Sequence, residues 1–222
     1  MVEIWVNFFG TVMNQYILLL SAAALGGCGG LPLTANSGAG LQTAGQSERV
    51  QKILFVTDGN IDAVHDGDTL TFKAANGTPF DVRLSDTDAP EIFQKAEKDK
   101  DCACKPPAER PGQKFAREAT AALSALAPVG SPATAECYRA DRYGKMVCHV
   151  YVNGVNLNLE QLRRGWAMTP KKAIWVRDPA SRVAQDEAKT ARRGIWQDAQ
   201  AVHPDDWREN CWDDGQCGTA TK

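Results

Sequence analysis

His65-Asp66-Gly67-Asp68-Thr69-Leu70-Thr71-Phe72-Lys73-Ala74-Ala75-Asn76-Gly77-Thr78-Pro79-Phe80-Asp81-Val82-Arg83-Leu84-Ser85-Asp86-Thr87-Asp88-Ala89-Pro90-Glu91 is the stretch on which the reading of this chain turns. Thr69 to Lys73 alternates apolar and polar residues, Asn76-Gly77 is a two-residue turn signal, and Phe80, Val82 and Leu84 resume a period of two. A β-hairpin is therefore expected. Folding it brings its two ends together, so that one carboxylate cluster before the first strand and another after the second flank Arg83.

Those residue types suit chemistry on phosphate. Asp68 and Asp88 are hard oxygen ligands able to hold Ca²⁺, with a backbone carbonyl and waters completing the shell. Arg83 offers a planar fork of donors for phosphate oxygens, and Glu91 is a carboxylate placed to act on a metal-held water. A metal and a guanidinium together stabilise charge that builds up on a phosphoryl group. Asp-Gly-Asp-Thr alone is a common turn, and it is the second cluster that gives the pattern its specificity.

The segment resembles the thermonuclease, or staphylococcal-nuclease-like, family. Asp66-Gly67-Asp68-Thr69, Arg83 five residues before Asp88, and Ala89-Pro90-Glu91 follow its signature order, as do Asp141-Arg142-Tyr143-Gly144-Lys145, Val155-Asn156, Gly165-Trp166-Ala167 and the closing Gly194-Ile195-Trp196. The resemblance implies Asp68, Asp88 and the Ala89 backbone carbonyl as calcium ligands, with Asp66 a carboxylate behind them. It implies Arg83 as the first phosphate-binding arginine and Glu91 as the general base. At the place of the family's second arginine stands Lys145, which keeps the charge but not the bidentate fork. The pocket tyrosines expected after Gly-Trp-Ala are also absent, with Lys171, Lys172 and Ala173 in that stretch.

The chain has 222 residues, more than one small barrel needs, and the excess lies at the ends. Residues 1–28 read as a signal peptide: Tyr16 to Leu25 is an apolar run, and Leu25-Gly26-Gly27-Cys28 resembles a lipobox whose Cys28 would be lipidated. An ordinary cleaved signal, or an uncleaved anchor using the apolar stretch from Ile4, is the alternative. No Lys or Arg precedes the run. Residues 29–50 have linker composition, with a reach of about 25 Å. The expected organisation is completed by a domain over 51–198 and an acidic, cysteine-containing tail over 199–222.

With Cys28 carrying lipid, six of the seven cysteines remain, an even number that favours disulfides in an exported chain. Cys137 and Cys148 flank the Asp141 to Lys145 turn and are expected to pair across a hairpin, while Cys211 and Cys217 close a short loop. Cys102 and Cys104 are too close in sequence for an unstrained bond. A zinc site is the competing reading, but the spacings lack paired ligand knuckles.

Strands are expected at about Ile61 to Val64, Thr69 to Lys73, Thr78 to Leu84, Thr134 to Arg139 and Met146 to Val152, and helices at about Gly112 to Leu126, Asn156 to Gly165 and Ala180 to Arg193. The fold class is mainly β with added helices (α+β), a five-stranded OB-fold barrel with about three helices. His149 reads as structural, and Trp207 as packing on the barrel rather than stacking on a base.

Net charge is −2, which is no nucleic-acid signature. Its distribution says more. Arg139 to Arg193 holds twelve Lys and Arg against five Asp and Glu, beside the third motif, whereas Trp196 to Lys222 holds two against six. The basic stretch suits guidance of a polyanion.

The leading expectation is an exported, calcium-dependent endonuclease acting on DNA, with RNA left open. It would be a monomer held in the cell envelope through a lipid anchor at Cys28, or secreted. The family resemblance implies attack that leaves 3′-phosphate ends. The rivals are a non-catalytic OB-fold nucleic-acid binder and a structural envelope lipoprotein; the set Asp68, Arg83, Asp88 and Glu91 speaks for the enzyme.

Overall fold

The computed structural model describes residues 52–95 and 109–217. The signal segment, the whole linker, Cys28, Cys102 and Cys104 lie outside the described residues.

The hairpin forms, through a three-residue loop rather than the expected two-residue turn: the Ala74 amide donates to the Thr78 carbonyl at 3.0 Å, leaving Ala75, Asn76 and Gly77 between the strands. Strand β2 (Thr69–Ala74) pairs antiparallel with β3 (Pro79–Leu84), Thr69 opposite Arg83 and Phe72 opposite Phe80. At the turn Gly77 adopts φ 85°, open to glycine but strained for other residues, and the Asn76 side chain accepts from the Thr78 amide at 2.9 Å. Leu70, Phe72, Val82 and Leu84 face inward and are all at most 1% exposed, as the period of two requires.

Around the hairpin β1 (Phe55–Val64), β4 (Pro132–Ala140) and β5 (Met146–Val152) complete the sheet in the order β3-β2-β1-β4-β5, with the two-residue β6 (Val155–Asn156) beside β5. Parallel pairing of β3 with β5, Val82 opposite Met146 and Leu84 opposite Cys148, closes it into a five-stranded mixed barrel. Closure leaves no open edge between those strands. The barrel core is Ile61, Leu70, Phe72, Val82, Leu84, Val150 and their neighbours, capped by Leu123 of helix α1 (Ala116–Leu126). The expected disulfides are both formed: Cys137 and Cys148 face each other across β4 and β5, and Cys211 bonds Cys217.

Several boundaries moved. β1 begins at Phe55 rather than Ile61, lengthened by the end of the apolar run Ile53-Leu54-Phe55-Val56 that the sequence offered as an extension, because its first half pairs with β4, Phe55 opposite Cys137. Helix α1 starts four residues late, since Phe115 takes a left-handed conformation (φ 69°) and cannot belong to it. Helix α2 (Leu157–Arg163) begins after Asn156, whose side chain caps it by accepting from the Leu159 amide. Past its end Gly165 and Gly194 run backbone to backbone, the Ile195 amide donating to the Gly165 carbonyl at 2.8 Å. A Cβ on Gly165 would sit 2.3 Å from the Arg193 carbonyl oxygen, which explains both glycines of the Gly-Trp-Ala and Gly-Ile-Trp segments. Helix α3 (Ala180–Thr190) packs beside α2.

Among the described residues there are four α-helices against the expected three or so, because the tail folds as well. Helix α4 (Pro204–Trp207) leads into a wider, π-helical stretch, Arg208–Asp213. The Trp207 and Trp212 indoles both donate to the Pro111 carbonyl, at 3.2 and 3.0 Å, and Trp207 is buried as expected. No helix among the described residues is long and apolar enough to cross a membrane.

Candidate active site

Asp68 ends the loop before β2, and the barrel pins that loop from two sides. The Gln161 amide of α2 donates to the Gly67 carbonyl at 2.8 Å, and a Cβ on Gly67 would lie 2.6 Å from that of Ala89 and 2.8 Å from that of Ala119. Glycine here is thus a packing requirement that brings the two clusters together. The Ala89 amide donates to Asp68 Oδ2 at 2.8 Å, and Thr69 donates to Oδ1 at 3.1 Å. On the other side Asp88 and Met168 exchange backbone hydrogen bonds, so the Gly-Trp-Ala segment holds Asp88 in place.

Arg83, opposite Thr69 in the hairpin, lies between the aspartates. Its Nη2 is 2.7 Å from Asp88 Oδ1 and 3.2 Å from Asp68 Oδ2. The two carboxylates share one guanidinium nitrogen and so face one space, with only 4% and 2% of their residue surfaces exposed. Asp68 in turn raises the Arg83 guanidinium further above its ordinary range. Asp66 stands behind Asp68, accepting from its amide at 3.0 Å. Burial and the Asp68 charge push the Asp66 carboxyl up to about 6, with Lys145 and Arg83 pulling the other way. Lys145 ends the turn into β5, where closure against β3 sets its charge near this cluster. Its amide is anchored by the Asp141 carboxylate at 2.9 Å.

Glu91 lies at the same centre. Burial pushes its carboxyl up to about 7, Arg208 opposing and the Asp68 charge adding to the rise. A carboxyl poised near neutrality is suited to take a proton at physiological pH. All of Asp66, Asp68, Arg83, Asp88, Ala89 and Glu91 are therefore brought together, with Lys145 at the margin.

Fixed oxygen donors that face one another, two of them buried carboxylates, fit a hard cation such as calcium, which would have to displace a guanidinium that now neutralises them. Asp68 and Asp88 would hold it, with Asp66 behind and Ala89 alongside.

Sequence reasoning missed a residue here. Arg208, from the folded tail, grips both oxygens of Asp88 at 2.7 and 3.1 Å and also donates to Glu91 and Asp205. Among the described residues Asp88, His203 and Asp205 form a group whose ligand atoms lie within 4.8 Å of one another, and Arg208 already bridges its two carboxylates. His203 is committed elsewhere: Nδ1 accepts from the Asp205 amide and Nε2 pairs with the Thr169 carbonyl. The one sequence signal was that Arg208 is the sole arginine of the acidic stretch from Trp196 onward.

A third buried aspartate, Asp86, was also missed. It accepts from Ser85 Oγ at 2.6 Å and the Asp178 amide at 2.7 Å, and lies 3.4 Å from His149 Nε2, whose Nδ1 pairs with the Tyr138 hydroxyl. His149 is structural, as expected.

Comparison with known proteins agrees with this architecture. The profile described as Staphylococcal nuclease homologue matches residues 81–198. An uncharacterized endonuclease of Escherichia coli O157:H7 is 31% identical over 156 residues, 68% of this chain and 84% of that protein. An uncharacterized endonuclease of Haemophilus influenzae is 29% identical over 145 residues, 65% of this chain and 69% of its own. The probable endonuclease LCL3 of Schizophyllum commune is 34% identical over 142 residues, 58% of this chain and 44% of its own. With its closed five-stranded barrel, the carboxylates of both clusters around Arg83 and a family match over more than half its length, the chain belongs to the staphylococcal nuclease family.

Proposed function

We propose that the chain is a calcium-dependent endonuclease that hydrolyses phosphodiester bonds in DNA, and RNA as a second substrate. The observation that carries this reading is the single Arg83 nitrogen shared by Asp68 and Asp88, with Glu91 beside them. Calcium bound there would supply an electrophile for a phosphate oxygen and a water readied for attack. The chain's own groups do the rest. Glu91, pushed toward neutrality by burial, accepts the water's proton. Arg83, fixed by the hairpin register, donates to the phosphate as negative charge grows on it. Lys145 adds a point charge without a second fork.

Plasmid DNA incubated with the protein should be degraded in calcium and left intact once excess chelator is added. Full activity in chelator rejects the metal requirement, and no hydrolysis with any divalent ion rejects the enzyme in favour of a binder. The reading extends to an exported monomer tethered at Cys28, supported by the apolar run and lipobox-like residues alone. Cys28→Ala should then release the domain from the membrane fraction.

A further inference from the structure

Two guanidiniums meet on one carboxylate in this centre, and they are held very differently. Arg83 rises from a barrel strand and reaches Asp88 through one nitrogen. Arg208 arrives from a segment 120 residues further along the chain and uses both terminal nitrogens on Asp88, adding Glu91 on one side and Asp205 on the other. The tail that delivers it is anchored throughout. Gln113 donates to the Val202 carbonyl at 2.6 Å, Lys114 pairs with Asp198 and Lys171 with Asp206, and both tail tryptophans hang on Pro111. Arg110 stacks on Trp212, and the Cys211–Cys217 bond closes the end. Such anchoring aims one side chain at the carboxylates that carry the proposed reaction.

A carboxylate held by two guanidiniums, one of them as a fork, cannot also bind a cation until one yields. Arg83 is locked by register, while Arg208 has a neighbouring acceptor in Asp205, on its own helical turn, to retain it when Asp88 is taken. A phosphodiester entering beside Glu91 then presents the planar pair of oxygens that Arg208 has lost.

We propose that Arg208 is a catalytic residue of this site: it neutralises Asp88 and Glu91 before the divalent ion enters, gives up Asp88 to it, and donates its fork to the scissile phosphate. This rests on the nuclease reading above.

The test uses the intact protein carrying R208Q or R208K, each checked by thermal melting. Calcium alone is titrated by calorimetry, and kcat and KM are measured on DNA at saturating calcium. R208Q removes a competing cation, so calcium should bind about fivefold or more tightly. Loss of a donor to the developing charge should nonetheless lower kcat by about 100-fold. R208K keeps the charge, so calcium affinity should stay near wild type while kcat falls about tenfold; this variant decides the matter if R208Q does not fold. Unchanged or weaker calcium binding by R208Q marks a structural ion pair and overturns the proposal. So does a kcat equal to or above wild type, which marks a plug. Wild-type protein inactive with every divalent ion removes the nuclease reading and this proposal with it, whereas active wild type with an equally active R208Q removes only the proposal.

Discussion

Asp86 and Asp88 stand two residues apart, are equally buried at 2% exposure, and are treated in opposite ways. Asp86 is satisfied by short, mostly neutral donors: the Ser85 hydroxyl, the Asp178 amide, the Ser181 hydroxyl and the His149 ring, with Arg177 at 3.8 Å. Burial alone would raise its carboxyl, but the hydrogen bonds from His149, Ser85 and the backbone outweigh that and hold it down at about 2. Asp88 is instead faced by two guanidiniums from distant parts of the chain. Fixed dipoles make a knot that ties the segment before α3 to the barrel. Guanidinium charges make a centre whose partners the proposed reaction would exchange for a metal and a phosphate. Burial by itself therefore says nothing about function; the nature of the partners does.

The comparison is broken most severely at Glu91. Glu91→Gln keeps the shape of the centre but cannot take a proton, so kcat should fall about 1000-fold with little change in melting temperature. Retention of more than a tenth of wild-type activity would remove Glu91 from the proton transfer.

The knot should respond in stability instead. With its folded value below the ordinary carboxylate range, Asp86 contributes stability that is fully present above about pH 4 and is lost as the pH falls toward 2, worth about 2 kcal/mol at neutral pH. Asp86→Asn tolerates the left-handed backbone there (φ 62°), and should lower the urea midpoint at pH 7 and flatten its acid dependence, leaving calcium affinity unchanged. A large fall in calcium affinity would merge the two regions into one functional unit.

The smallest effect is expected at the edge of the centre. Lys145→Arg restores a fork, but Arg208 already supplies one, so kcat should rise only about threefold, or about 0.7 kcal/mol. A gain above tenfold would mean that position 145, rather than Arg208, is where the phosphate lacks a donor.

The hairpin and its two acidic ends were readable from the chain alone because everything that makes them is local. Strand periodicity, Asn76-Gly77 and the proximity of hairpin ends are properties of 27 consecutive residues, so Asp68, Arg83 and Asp88 could be placed together without knowing the rest. The Cys137–Cys148 bond was nearly as accessible, since the two cysteines flank the turn almost symmetrically, and a bulge between Cys137 and Arg139 supplies the one-residue shift that sets them opposite each other. Phe115 was not: its left-handed backbone trims α1 against the helical pattern around it. Tertiary structure alone decided the closure of β3 on β5, which sets Lys145 near Asp66, and the return of the tail, which puts Arg208 on Asp88 and Glu91. Periodicity and spacing encode what a residue does to its neighbours in sequence. A charge pair across 120 residues leaves no such mark, because what stabilises it is the packing of Trp207 and Trp212 at Pro111 and the burial of carboxylates that only the finished barrel brings together.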